Sequence, residues 1–238
     1  MKIRCVLFDI DDTLYDASFQ TSTARLNAIK AMIEAGLPTN IEIAYRILEE
    51  IVKEFGPHYN RHYDRLLESL GLGWNPRVIA AGVIAYRETS SAYLKPYSDT
   101  ISVLLKLRES GYQLGIVSEG RSVKQWQKLI QLGIAHLFHR VVISEEIKEG
   151  TITPEMFKLV LKDLGVSPEK TVFVGNQLDT DILCANKVGV VSVRMRKGEH
   201  RVEEPKSPEM APKFEINRLV EIFGVLEKLK DASKGTRV

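Results

Sequence analysis

Two rhythms of apolar positions run along this chain, and their succession predicts its architecture. A short apolar run, Cys5-Val6-Leu7-Phe8, passes at once into the polar stretch Asp9-Ile10-Asp11-Asp12-Thr13. From about Ser18 to Leu94 the spacing is helical: Ile47, Leu48, Ile51, Val52 and Phe55 recur at the interval of a buried helix face. Gly36-Leu37-Pro38, Gly56-Pro57 and Gly71-Leu72-Gly73 cut this stretch into about four helices. After Lys95-Pro96 helical segments alternate with the apolar runs Leu114–Val117, Val141–Ile143, Val172–Val174 and Val190–Val193. Short apolar strands separated by helices predict a parallel sheet covered on both faces. The expected fold is therefore α/β, a Rossmann-like parallel core from residues 1–16 and 95–238 that carries an inserted all-helical domain at 17–94. A final helix is expected over Ile216–Leu229, after an irregular stretch containing Pro205, Pro208 and Pro212, with a fraying tail from Lys230 to Val238.

The chemistry concentrates where the strands end. In open parallel sheets, ligands sit beyond the carboxyl ends of the strands. Asp9 ends the first strand, Ser118 ends the run Leu114–Val117, and Asn176 follows Val172-Phe173-Val174-Gly175. Asp9 and Asp11 put two like charges two residues apart, an arrangement that needs a cation, a proton or a catalytic task to offset their repulsion. Asp9 is read as a nucleophile and Asp11 as its proton shuttle, while Asp12 reads as an ordinary turn acid.

The pattern Asp9-x-Asp11-x-Thr13 resembles the first motif of the haloacid dehalogenase-like hydrolase superfamily, and the likeness covers nearly the whole chain. Within it, Lys124-Gln125-Trp126-Gln127-Lys128-Leu129-Ile130 and Leu132-Gly133-Ile134 look similar to an archaeal subgroup of glyceraldehyde 3-phosphate phosphatases. The resemblance implies a helical cap over the active site and hydrolysis of a small phosphorylated metabolite through an aspartyl phosphate, with Mg2+ as cofactor. It implies that Ser118, Glu119 and Gly120 form the phosphate cradle, with the positive end of the helix that starts near Arg121 behind them. It also implies a metal held by Asp9, the main-chain carbonyl of Asp11, Asn176 and Asp181; Asp179 reads either as a compensating acid or as a helix-cap or first-turn acid. Asp11, protonated at first, would serve the leaving alkoxide and then activate water.

Two motifs depart from that family pattern. Asn176 stands where the first acid of the fourth motif belongs, and Thr151 and Ile152 stand where the third motif has its lysine and proline. Losing a cation about 4 Å from an anion costs up to about 4 kcal/mol at an effective dielectric near 20. Lys148, three residues upstream, is the candidate to reach inward, against the commoner fate of a solvated loop lysine. These departures keep open a relative with weak turnover, or a binding protein. A haloacid dehalogenase is the other alternative, but such enzymes typically lack the second acid that Asp11 supplies here.

Composition narrows the field. A formal charge of +2 and the absence of a basic block interleaved with aromatics disfavour a nucleic-acid partner. No apolar run reaches membrane-spanning length, and no signal-peptide pattern opens the chain. Cys5 and Cys184 read as small buried residues rather than a bridge, so a cytoplasmic location is expected. Tyr15 and the cluster His58, Tyr59, His62 and Tyr63 are polar aromatics that could face the cleft, against the commoner reading of half-buried residues on helix surfaces; the pair His58/His62 reads as surface rather than metal site.

Overall fold

Six parallel strands form one sheet in a computed structural model that describes residues 2–57 and 59–232. They are β1 (Cys5–Phe8), β2 (Gln113–Ser118), β3 (Arg140–Ile143), β4 (Thr171–Gly175), β5 (Val191–Met195) and β6 (Phe214–Ile216). The spatial order is β3-β2-β1-β4-β5-β6. Chain direction across the sheet therefore reverses between β1 and β4, and at such a switch point two connections leave in opposite directions and open a crevice. Leu7 pairs with Gly115 on one side and Phe173 on the other, which fixes β1 at the centre.

The near-continuous apolar strands follow from burial on both faces. Val6 and Phe8 point to one face, where Leu104 and Leu107 of α5 (Thr100–Glu109), Leu129 of α6 (Ser122–Gln131) and Ile222 of α9 (Ile222–Ala232) cover them. Cys5 and Leu7 point to the other, against Met156, Phe157 and Val160 of α7 (Pro154–Leu164) and Ala185 of α8 (Leu183–Val188). Both cysteines are free thiols, buried in this second layer.

The chain divides into two compact units, residues 1–18 with 94–238, and residues 19–93. The second unit is built on α1 (Ala17–Glu34), α2 (Ile41–Phe55), α3 (His62–Ser69) and α4 (Pro76–Tyr93). Asn40 caps α2 by accepting the Ile43 N–H at 2.9 Å. Leu48 and Ile51 of α2 bury against Met32, Leu66 and Val78, whereas Phe55, at the frayed end, stays exposed and stacks on Tyr59. The His62 ring bonds the Gly56 carbonyl at 2.9 Å, and His58 lies outside the described residues.

The carboxyl-terminal region differs from the sequence expectation. The segment expected to start a helix at Ile216 instead supplies β6, which pairs with β5 through Val193 and Phe214. Three residues are too few for an alternation to register, and the edge strand follows a proline-rich stretch that looks irregular. A short 3₁₀ turn at Leu219–Glu221 then leads into α9.

Candidate active site

The site is built around the end of β1, at the switch point. Asp9 continues the sheet for one residue, its N–H donating to the Val174 carbonyl at 2.9 Å. The chain then turns sharply: Leu14 N–H returns to the Ile10 carbonyl at 3.0 Å, and Asp12 takes a left-handed φ of 54°. Aspartate is among the few non-glycine residues that tolerate this region. The Asp12 carboxylate is occupied by the Ser18 N–H at 2.9 Å and hydroxyl at 2.6 Å, so it secures the start of α1, consistent with a structural turn acid. Thr13 is fully buried, and its hydroxyl oxygen has no hydrogen-bond partner among the described residues.

A line of hydrogen bonds joins the two motif carboxylates. The Ser118 hydroxyl, at the end of β2, donates to Asp9 Oδ1 at 2.7 Å. The Gln125 side chain on α6 donates to Ser118 Oγ at 2.8 Å and approaches Asp11 Oδ2 at 3.4 Å. Lys128, one turn further along α6, places its ammonium 2.7 and 2.6 Å from the two oxygens of Asp11. The Tyr15 hydroxyl completes the arrangement by donating to Asp11 Oδ1 at 2.5 Å.

Electrostatics split the two acids. Burial pushes the Asp9 carboxyl well above the usual range, and the charges of Asp181 and Asp11 push it further, against the Ser118 hydrogen bond. Burial also acts to raise Asp11, but the Lys128 ammonium and the bonds from Lys128, Tyr15 and Gln125 outweigh it and hold Asp11 below its ordinary value. These contacts favour the carboxylate form of Asp11 in the ligand-free protein. The cause is a cation that the motif pattern does not reveal.

Across the switch point, Asp181 receives the N–H groups of Asn176 and Gln177 on one oxygen, at 2.9 and 3.1 Å. Burial nevertheless pushes Asp181 up to about 7, with Glu119 and Asp179 adding to the rise against those two bonds. Gly175 makes the approach possible. A Cβ there would lie 2.5 Å from Asp181 Oδ2 and 2.7 Å from the Phe173 ring. Asn176 is 2 % exposed, and its buried side-chain oxygen has no hydrogen-bond partner among the described residues. A buried amide oxygen left unpaired costs free energy that a ligand can recover. Asp9, Asn176, Asp181 and the Asp11 carbonyl make an all-oxygen donor set of the kind a hard cation takes. Among the described residues no group of three His, Cys, Asp or Glu side chains is arranged as a metal centre by itself, so the Asn176 amide and a main-chain carbonyl would have to complete the set. The orphaned amide oxygen and the mutual repulsion of the acids are what a divalent cation would relieve, so the residues fit one.

Other expected site residues are placed differently. The Gly120 N–H donates to Ser144 Oγ at 3.0 Å, and Glu145 receives the Ser122 N–H at 2.7 Å, so a carboxylate already covers the start of α6. Glu119 is exposed and accepts the Thr151 hydroxyl at 2.5 Å. Lys148 is an exposed residue in left-handed backbone beyond the turn Ser144–Ile147, and Asp179 is exposed at its own turn. The site thus gains Gln125 and Lys128, which the motifs do not mark. A signal for Gln125 does exist: it shares the inward stripe of α6 with Leu129, and a polar side chain in an apolar register asks for a partner.

Comparisons with known proteins identify the family of this chain. The haloacid dehalogenase-like hydrolase family matches residues 6–195. A glyceraldehyde 3-phosphate phosphatase of Methanopyrus kandleri is 50 % identical over 229 residues, 95 % of this chain and 98 % of its own. One of Methanocaldococcus jannaschii is 39 % identical, covering 96 % and 99 %. Among solved structures, the HAD-hydrolase YfnB of Bacillus subtilis, bound to magnesium, superposes with a TM-score of 0.68 at 24 % identity, over 95 % of this chain and 99 % of that one. No helix among the described residues is long and apolar enough to cross a membrane. With the motif acids at the switch point of its sheet and a family match across four-fifths of its length, this chain belongs to the haloacid dehalogenase-like hydrolases.

Proposed function

We propose that this chain is a magnesium-dependent phosphatase of small phosphate monoesters, with glyceraldehyde 3-phosphate as the leading substrate. The observation that carries this reading is the buried Asp9 carboxylate, bonded by Ser118 on one oxygen and set beside the orphaned Asn176 amide. The substrate rests on the extensive identity to phosphatases that bear that name.

Asp9, Asn176, Asp181 and the carbonyl of Asp11 are the groups that would hold the ion. A bound divalent cation neutralises part of the phosphate charge and so permits an anion to approach phosphorus. Ser118 fixes Asp9 Oδ1, which leaves Oδ2 as the attacking atom. The new bond joins Oδ2 to phosphorus as the ester P–O bond breaks, and the departing alkoxide takes a proton. Water then adds to phosphorus, the acyl-phosphate P–O bond breaks, and Asp9 is regenerated with release of inorganic phosphate. Asp11 carries the protons for both halves. The carboxylate form held by Lys128 suits the water step, and the charge of a phosphate dianion beside it favours proton uptake for the alkoxide step. Substrate selectivity is assigned in the same reading to the helical unit 19–93, as the cap of the family plan.

Release of phosphate from glyceraldehyde 3-phosphate, dihydroxyacetone phosphate, phosphoserine and phosphoglycolate tests the reading. The expected result is highest kcat/KM for glyceraldehyde 3-phosphate and loss of turnover in chelator, restored by magnesium. No release from any ester, or turnover indifferent to chelator, would refute it.

A further inference from the structure

Three acids, Asp9, Asp11 and Asp181, meet at a site that must also admit a dianionic ester, so the supply of fixed positive charge is a structural question. The neighbouring cations are largely engaged elsewhere or turned outward. Arg121 lies 3.8 Å from Glu145 and is mostly exposed, Lys148 is exposed, and position 151 holds a threonine bonded to Glu119. Lys128 is different. Its ammonium spans both oxygens of Asp11, within 6.0 Å of the Tyr15 ring centroid, and its side chain is 26 % exposed.

We propose that Lys128 and Gln125, one helical turn apart on α6, are a positioning pair that supplies the active-site cation and aims both motif carboxylates, the post that position 151 leaves unfilled. The inference rests on the phosphatase reading and deepens it. Gln125 donates to Ser118 Oγ, so the one hydroxyl hydrogen of Ser118 is directed to Asp9 and the same Asp9 oxygen is always engaged. Lys128 and Tyr15 clamp Asp11 from two directions, which fixes the plane of its carboxylate relative to Asp9. A point charge fixed on Asp11 also offsets the repulsion that this acid exerts on Asp9. Because α6 packs through Leu129 on the sheet, the pair is carried by a rigid element rather than by a loop.

A positioning role makes a specific kinetic forecast. Lys128→Met should lower kcat on the order of a hundredfold, the size of effect that follows from misplacing a reacting group. KM for the ester and the inhibition constant of inorganic phosphate should each stay within about twofold, since Lys128 contacts Asp11 and not the phosphate. Lys128→Arg should recover most of kcat, because it returns a cation of similar reach, and Gln125→Ala should lower kcat without weakening phosphate. If Lys128→Met loses its cooperative melt, Lys128→Gln carries the same test. Wild-type turnover in Lys128→Met overturns the inference while the phosphatase reading stands. Weakened phosphate inhibition at unchanged kcat also overturns it, by moving Lys128 onto the substrate. Absence of phosphate release from the wild-type protein overturns the reading and this inference together.

Discussion

Asp9→Asn is expected to reduce phosphate release by about 10^5-fold or more, as loss of a nucleophile does. The same replacement should make the metal-free protein more stable. Asp9 is 6 % exposed, and its carboxyl is pushed up by burial and by the charges of Asp181 and Asp11. An amide of the same shape removes that penalty and keeps an oxygen to accept from Ser118. A gain of about 2 kcal/mol would raise the melting temperature by roughly 4–8 °C in a chain of this size. Activity assay and thermal melt on one preparation check both halves. Substantial metal-dependent turnover in the variant would place the nucleophile elsewhere, and a lower melting temperature would show that Asp9 is held by favourable charge rather than against unfavourable charge.

The second large effect is a stability that falls with pH when no divalent cation is present. Both Asp9 and Asp181 have carboxyls raised above their ordinary values, Asp181 to about 7. A raised folded pKa means that the native state binds more protons than the unfolded chain between the two values, so stability declines as pH rises through that window. Burial is the main cause for both, reinforced by Asp181 and Asp11 around Asp9 and by Glu119 and Asp179 around Asp181, and opposed by the Ser118 hydroxyl and the Asn176 and Gln177 N–H groups. For Asp181 alone the loss between the ordinary carboxylate range and alkaline pH is on the order of 4 kcal/mol. Thermal melts in chelator should therefore peak near about pH 5 and drop by about pH 8, and saturating magnesium should raise the melting temperature far more at the higher pH. A metal-free melting temperature that stays level or climbs across this range would contradict the charge arrangement described here.

The strands β1 to β5 were legible because each is a short apolar run buried on both faces, and the helical unit was legible because glycine and proline punctuate its 3.6-residue rhythm. The edge strand β6 was not, since three residues carry too little pattern to separate from loop. Asp9, Asp11 and Ser118 stand out at strand ends in the sequence, and the sheet brings Ser118 directly onto Asp9. Lys128 could not be read this way. Its contact with Asp11 joins residues 117 apart, and no spacing rule connects a helix lysine to a distant turn acid. Thr151, which looks like a missing cation when the motif is read as a string, is occupied by Glu119 in space, so a lysine placed at 151 would meet that acid first. The N–H groups of Gly120 and of Ser122 at the start of α6 are likewise taken by Ser144 and Glu145, on the turn after β3, and no local spacing announces those partners. Local sequence shows which donors exist, and only the folded neighbours decide which of them are spent.

The central step is the passage of a phosphoryl group through the Asp9 side chain. Acid quenching of the protein during turnover of a phosphate-labelled ester with magnesium, followed by peptide mapping, tests this most directly. The prediction is a label on the peptide that contains Asp9, absent in chelator and absent in Asp9→Asn. Label on another residue, or steady phosphate release with no labelled Asp9 peptide under conditions where an acyl phosphate survives, would contradict it.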